Sequence, residues 1–227
     1  MTERNTDLRL DLLRDWIARR ANRLNVDPDS LRPASDDASF RRYFRLDSNR
    51  AARGSVIIMD APPDREDCRP FLHAAQVFRE AGLSVPEVIE SDLDAGFLLL
   101  EDLGNDTYLS CLTEESASAL YRDAGTALVK LQLASRPGVF PAYDRAMLAR
   151  EMALYPEWYV ARHKGVSLSD SQRALMAHAF TLLTDAALAQ PQVTVHRDWH
   201  SRNLMRLDAD RNPGVLDFQD AVHGPIT

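Results

Sequence analysis

Cysteine is nearly missing from this 227-residue chain. Cys68 and Cys111 stand far apart and form no CxxC pair, so neither a disulfide framework nor a zinc knuckle is expected. Long apolar runs are missing too. None approaches the ~18 residues that cross a bilayer, and the charged, amphipathic start from Met1 to Arg23 has no apolar core for a signal peptide. Positive charge is in deficit: a formal net charge of −7 is the wrong sign for a general nucleic-acid binder, which needs a basic face. Internal repeats and low-complexity tracts are absent. These deficits together lead to the expectation of a cytoplasmic protein with neither a membrane nor a nucleic-acid partner. What is present is an apolar fraction of 45%, enough for a packed core, in a length that suits one large domain or two small lobes.

Apolar spacing divides the chain into a strand-rich first part and a helical second part. Leu8, Leu12, Leu13, Trp16, Ile17 and Leu24 share one stripe and predict a helix over 7–24. Strands are expected at 31–34, 40–46 and 55–60. Between the first two lies the turn Ser35-Asp36-Asp37-Ala38-Ser39, whose backbone N–H groups could cover an anion although it contains no glycine. A helix over 64–81 follows Pro62-Pro63. Then come a short edge strand at 85–89 and a buried strand, Gly96 to Gly104. Thr113 caps a long helix to about Ala134. A helix over 144–155 is expected to end at Pro156, and Ser169 caps another to about Ala189. Tyr155, Trp158 and Tyr159 could floor a sugar or ring pocket, but are expected to pack between helices.

The second part holds the densest chemistry. Val193-Thr194-Val195 leads into His196-Arg197-Asp198-Trp199-His200-Ser201-Arg202-Asn203, and Gly214-Val215-Leu216 leads into Asp217-Phe218. His-Arg-Asp, then Asn, then Asp-Phe is the order of a kinase catalytic loop and its metal-binding acid. Phosphoryl transfer needs a carboxylate to take the acceptor proton and oxygen ligands to hold Mg²⁺ on the phosphates. Asp198 suits the first role, and Asn203 with Asp217 the second. His196-x-Asp198-x-His200 is also compatible with a transition-metal site, and the two strands with an ordinary hairpin. His196 is read as structural, behind the loop.

Ser-Phe-Arg-Arg-Tyr-Phe-Arg (39–45), Met-Asp-Ala-Pro-Pro (59–63), Leu-Glu-Asp-Leu-Gly (100–104) and His-Arg-Asp-Trp-His-Ser-Arg-Asn (196–203) resemble the aminoglycoside phosphotransferase and choline kinase family. Within it they are most similar to the bacterial anomeric kinases of N-acetylmuramate and N-acetylglucosamine in cell-wall recycling. The resemblance implies a protein-kinase-like, two-lobed α+β fold. Its N-lobe is an antiparallel sheet over residues 1–103, and its helical C-lobe, over 104–227, carries the catalytic loops. It also implies ATP, Mg²⁺ and an amino sugar as ligands, with choline, an aminoglycoside or a catalytically silent nucleotide binder as rival readings. Residues expected at the nucleotide are Ser39, Arg41 and Arg42 near the phosphates, and the backbone of Glu101, Asp102 and Leu103 at the adenine. Trp199, His200 and Arg202 are candidates for the acceptor, with Arg162 as a further cation. The sequence departs from the family pattern in two places. Met59 stands where the third strand should carry a phosphate-binding lysine, so Arg41 or Arg42 is expected to substitute; the lysine's usual glutamate partner could be Glu66 or Glu80. The chain also stops at Thr227, where the family continues into further helices.

Overall fold

The computed structural model describes residues 7–35 and 40–226, which form two compact units. The first unit comprises the described residues up to Gly125 together with Trp199–Gln219. The second comprises Thr126–Asp198 together with the residues from Asp220 onward.

The first unit is built on a five-stranded antiparallel sheet, β1 (Val26–Ser35), β2 (Arg42–Ser48), β3 (Ser55–Asp60), β4 (Val88–Asp92) and β5 (Phe97–Glu101), in the order β1-β2-β3-β5-β4. Strand alternation gives the sheet two different faces. On one, Leu46, Val56, Ile58, Phe97 and Leu99 pack against Leu13, Trp16 and Ile17 of helix α1 (Leu8–Ala18). Full burial of such side chains contributes about 1.5–3 kcal/mol each as an upper bound. The expected 7–24 helix is therefore real but broken: Asp7 caps α1, and a separate turn α2 (Ala21–Leu24) ends at Asn25 in a left-handed conformation, φ 53°. Leu8 and Leu12 are left exposed.

Polar contacts fix how α1 lies on this face. Arg9 Nε donates to Asp60 Oδ1 at 2.6 Å, Arg42 Nη2 donates to Asp60 Oδ2 at 2.6 Å, and Trp16 Nε1 donates to Asp92 at 2.8 Å. Asp60 is wholly buried, so its two arginines are required: an unpaired carboxylate there would be strongly destabilising.

Helix α3 (Arg69–Glu80) buries Phe71, Ala74, Ala75 and Phe78, and Phe71 and Phe78 meet the ring of Phe218. It starts five residues later than its apolar spacing suggests. Pro62 O accepts from the amides of Arg65 and Glu66, closing a turn, and the Asp67 carboxylate then accepts from the Arg69 amide at 2.9 Å. The edge strand is likewise displaced, to β4.

After the short helix α4 (Tyr108–Cys111), the long helix α5 (Glu114–Leu133) has its start fixed by Thr113 and Ser116, whose hydroxyls each accept the other's amide. The second unit contains α6 (Arg145–Leu154), a π-helical segment Tyr155–His163 and α7 (Asp170–Leu188). Ser169 caps α7 as expected, and Gln172 completes a capping box with it. α6 ends at Leu154, just ahead of Pro156 as expected, but the chain continues as a π-helical segment. Pro156 sits in the first turn of that segment, where its missing N–H removes little. The expectation that Tyr155, Trp158 and Tyr159 pack internally is overturned: all three are exposed, Tyr155 stacks on Tyr159, and Arg162 covers Trp158 at 3.9 Å. Strand β6 (Gln192–Val195) pairs with β9 (Val222–Pro225), an antiparallel partner that the spacing did not suggest. Among the described residues no helix is long and apolar enough to cross a membrane.

Candidate active site

The buried strand β5 leaves the sheet through Asp102-Leu103-Gly104. Asp102 is 4% exposed, and its carboxylate accepts from the Gly104 amide at 2.8 Å and the Ser55 hydroxyl at 2.7 Å. Arg45 Nη2 donates to it at 3.0 Å, while Arg45 Nε lies 2.6 Å from its other oxygen but out of line for a bond. Burial raises the Asp102 pKa, but the bonds from Ser55, Arg45 and Gly104 outweigh it and hold the carboxyl below the ordinary carboxylate range. The carboxylate therefore fixes the turn. The Glu101 amide is already taken by the Glu87 carbonyl at 2.8 Å, and the Glu101 carboxylate by Arg211 at 2.7 and 3.1 Å.

Two short strands bring acidic and amide side chains under the sheet. β7 (Leu204–Met205) pairs with β8 (Gly214–Val215), and the Val215 amide donates to Ser84 O at 2.7 Å. At Gly214 a Cβ would lie 2.9 Å from Leu103 Cδ1, so a larger residue would require that side chain to shift. Past β8, the Leu216 amide donates to Asn203 O at 2.9 Å, which aligns the two loops. Asp217 takes a left-handed conformation, φ 61°, costing about 1–3 kcal/mol for a residue of this kind. Its carboxylate lies 3.1 Å from the Asn203 carboxamide and 2.7 Å from that of Gln219.

These pieces enclose a pocket of about 640 Å³, within the size range of small-molecule sites. Ile57, Leu100, Leu103, Met205, Leu216 and Phe218 make it an apolar slot. The 101–104 turn borders it, as do Asn203, Asp217 and Gln219. A flat heteroaromatic ring suits the slot, and a hard divalent cation suits the oxygens of Asn203 and Asp217. Among the described residues, no group of three or more His, Cys, Asp or Glu side chains could hold a metal, so the transition-metal alternative finds no support.

In the second unit, His196 is buried and its Nδ1 accepts from the Asp198 amide at 3.3 Å, the structural position expected of it. Arg197 has φ 77° and donates to Glu151 Oε1 on α6 at 2.7 Å; Tyr143 donates to the same carboxylate. Burial and Glu151 push the Tyr143 phenol up to about 12. The strained residue before Asp198 is thus tied to a helix.

The structure separates the expected phosphate-site arginines. Ser39 lies outside the described residues. Arg42 is on the α1 face, committed to Asp60 and Asp7, and does not line the pocket; strand parity puts it on the wrong side of the sheet. Arg41 is not in the lining either, but it pairs with Glu66 at 3.2 Å. Arg202 lines the pocket beside Asn203, whereas half-buried Trp199 and exposed His200 do not. Tyr43, Arg45 and Gln219 were missed. The alternation of β2 carries the signal for the first two, since Tyr43 and Arg45 share a face that excludes Arg42.

Residues 30–227 match the family model described as the phosphotransferase enzyme family (APH). The chain is 50% identical over 202 residues to an N-acetylmuramate/N-acetylglucosamine kinase of Pseudomonas aeruginosa, covering 89% of this chain and 58% of that protein. It is 47% identical over 228 residues to a protein of the same name from Pseudomonas putida, covering 97% and 66%. It therefore spans less than two thirds of the length of these relatives. Among solved structures, an aminoglycoside phosphotransferase with ADP bound has the same fold at a TM-score of 0.64 and 16% identity, over 93% of this chain and 72% of that one. The kinase-like α+β fold expected from the sequence is thus the fold observed, and the chain belongs to the phosphotransferase enzyme family.

Proposed function

We propose that this chain carries the nucleotide-binding and catalytic parts of a kinase that transfers the γ-phosphoryl group of ATP to a small sugar. The acceptor is the anomeric hydroxyl of N-acetylmuramate or N-acetylglucosamine. The observation that carries the reading is the pocket of the first unit, an apolar slot bordered by a rigid turn and by Asn203 and Asp217. The adenine lies in the slot and is read by the backbone of residues 101–103. Asn203 and Asp217 would hold Mg²⁺, which would supply positive charge against the negative charge on the phosphate oxygens. Asp198 orients the acceptor hydroxyl and takes its proton. An anomeric hydroxyl is more acidic than an ordinary sugar alcohol, so a carboxylate of ordinary basicity is adequate. In this reading residues 1–103 act as the nucleotide lobe and 104–227 as the lobe carrying the catalytic loops. The protein works where ATP and the amino sugar meet, in the cytoplasm. Trp199, His200 and Arg202 remain the acceptor-side candidates, and the amino-sugar assignment is supported by the names of the Pseudomonas relatives.

Incubation with Mg·ATP and each sugar, followed by ³¹P and ¹H spectroscopy, tests this. The expected product is a non-reducing, acid-labile sugar 1-phosphate with phosphorus coupled to the anomeric proton. A 6-phosphate would overturn the anomeric assignment, and phosphorylation of choline or an aminoglycoside in place of either sugar would overturn the acceptor class.

A further inference from the structure

Two arginines line the pocket of the first unit, Arg45 and Arg202. Arg45 is held by Asp102 at the turn, and the Glu101 carboxylate is held by Arg211. With those pairs set aside, the charged side chains left in the lining are one anion, Asp217, and one cation, Arg202. Asp217 accepts from the carboxamides of Asn203 and Gln219. Arg202 is exposed, and among the described residues no ion pair or side-chain hydrogen bond engages its guanidinium. The sheet offers no second cation. β3 carries Met59, 1% exposed, where a lysine is expected, and Lys130 and Lys164 both belong to the second unit. Neither Arg41 nor Arg42 lines the pocket: Arg41 pairs with Glu66, and Arg42 with Asp60 and Asp7.

The backbone that carries Arg202 is pinned on both sides. The Asn203 amide donates to His200 O at 2.9 Å, closing a four-residue turn with Arg202 in its third position. The Leu109 amide of α4 donates to Ser201 O at 2.9 Å, and the Leu216 amide donates to Asn203 O at 2.9 Å. This turn brings two adjacent side chains, Arg202 and Asn203, into one pocket, while Trp199 and His200 of the same loop do not line it. Adjacent Cα atoms are about 3.8 Å apart, so a ligand group seated at Asn203 is also within reach of the Arg202 guanidinium. Asp217 alone would repel an anionic ligand, and Arg202 supplies the opposite charge beside it. The planar fork of a guanidinium matches two phosphate oxygens at once. Negative charge is spread over the terminal phosphoryl oxygens during transfer, and an arginine on the same chain is one way to meet it.

We propose that Arg202 binds the terminal phosphate of a nucleoside triphosphate in this pocket, in the role that β3, with Met59, leaves unfilled. The proposal rests on the nucleotide reading above. It sets Arg202 apart from Trp199 and His200, which stay on the acceptor side. It also makes the phosphate cation and the metal-site amide neighbours in sequence, so one turn fixes both.

Calorimetric titration of this protein with Mg·ATP, Mg·ADP and adenosine tests it without requiring turnover. Arg202→Ala should weaken Mg·ATP binding by about ten- to a hundredfold, the usual effect of losing a charge-assisted contact. Mg·ADP and adenosine affinities should stay within about threefold of wild type; adenosine also reports that the slot is folded. Equal losses for all three ligands would make Arg202 a structural residue of the turn and overturn the proposal. Equal losses for Mg·ATP and Mg·ADP, with adenosine spared, would overturn the assignment to the terminal phosphate. Unchanged Mg·ATP affinity would overturn the proposal outright, and if binding of the acidic sugar N-acetylmuramate fell instead, Arg202 would serve the acceptor's carboxylate. Wild-type protein that binds none of the three nucleotide ligands would overturn the nucleotide reading itself, and this proposal with it.

Discussion

Asp102→Asn offers a direct test of how the turn after β5 is held. The native carboxylate meets the Gly104 amide, the Ser55 hydroxyl and the Arg45 guanidinium at 2.6–3.0 Å. Asparagine keeps one acceptor oxygen and turns an NH₂ toward groups that are themselves donors. It also leaves Arg45, whose side chain is 16% exposed, without its counter-charge. Losing charge-assisted bonds costs about 1.5–3 kcal/mol, and stranding a fully buried charge about 3–5 kcal/mol. Arg45 borders an open pocket, so the expected loss lies between these, about 2–4 kcal/mol in the first unit. Hydrogen exchange read by mass spectrometry on peptides of β3 and β5 isolates that unit. The slowest amides should exchange about 30- to 1,000-fold faster. A change below about threefold would refute the claim that this carboxylate is what holds the turn. The pH dependence follows from the lowered pKa of Asp102. A carboxyl with a depressed folded-state pKa contributes its full stabilisation above the unfolded value, about 3.9, and loses it as pH falls through the folded value. Wild type and Asp102→Asn should therefore differ at neutral pH and converge on acidification below about pH 4.

Asp198→Asn preserves size and removes the proton acceptor, so nucleotide affinity should persist while turnover falls about 10²–10⁴-fold; turnover within about threefold of wild type would reject the assignment. Asp217→Ala should weaken Mg·ATP binding more than metal-free ATP binding, and calorimetry showing equal losses in both would remove the metal role.

Much of the architecture is legible in the residue order because its determinants are local. Thr113 with Ser116 and Ser169 with Gln172 announce the starts of α5 and α7, since a cap is satisfied within one turn of chain. Ile57 and Ile58 mark β3, and Leu98 to Leu100 mark β5, through apolar runs bounded by turn residues. The order His196, Asp198, Asn203 is likewise readable, because these residues lie in one short stretch of chain, and Asp217 follows at the end of a short strand. Pro156 marks the end of α6 but gives no sign of the π-helical segment that follows, because where the hydrogen-bond ladder changes from α to π is not written in local spacing.

What the sequence by itself determined is therefore most of the strands and long helices, the family pattern and the chemical identities that a metal and a phosphate would need. Only the tertiary structure decided which arginine is which. Arg41, Arg42 and Arg45 are equal as letters, but register with β3 sends Arg42 to Asp60 on the α1 face, ties Arg45 to Asp102 at the turn and leaves Arg41 with Glu66. Those partners come from distant parts of the chain, and a side chain's role is set by the face and the counter-charge that pairing gives it, which no local spacing encodes.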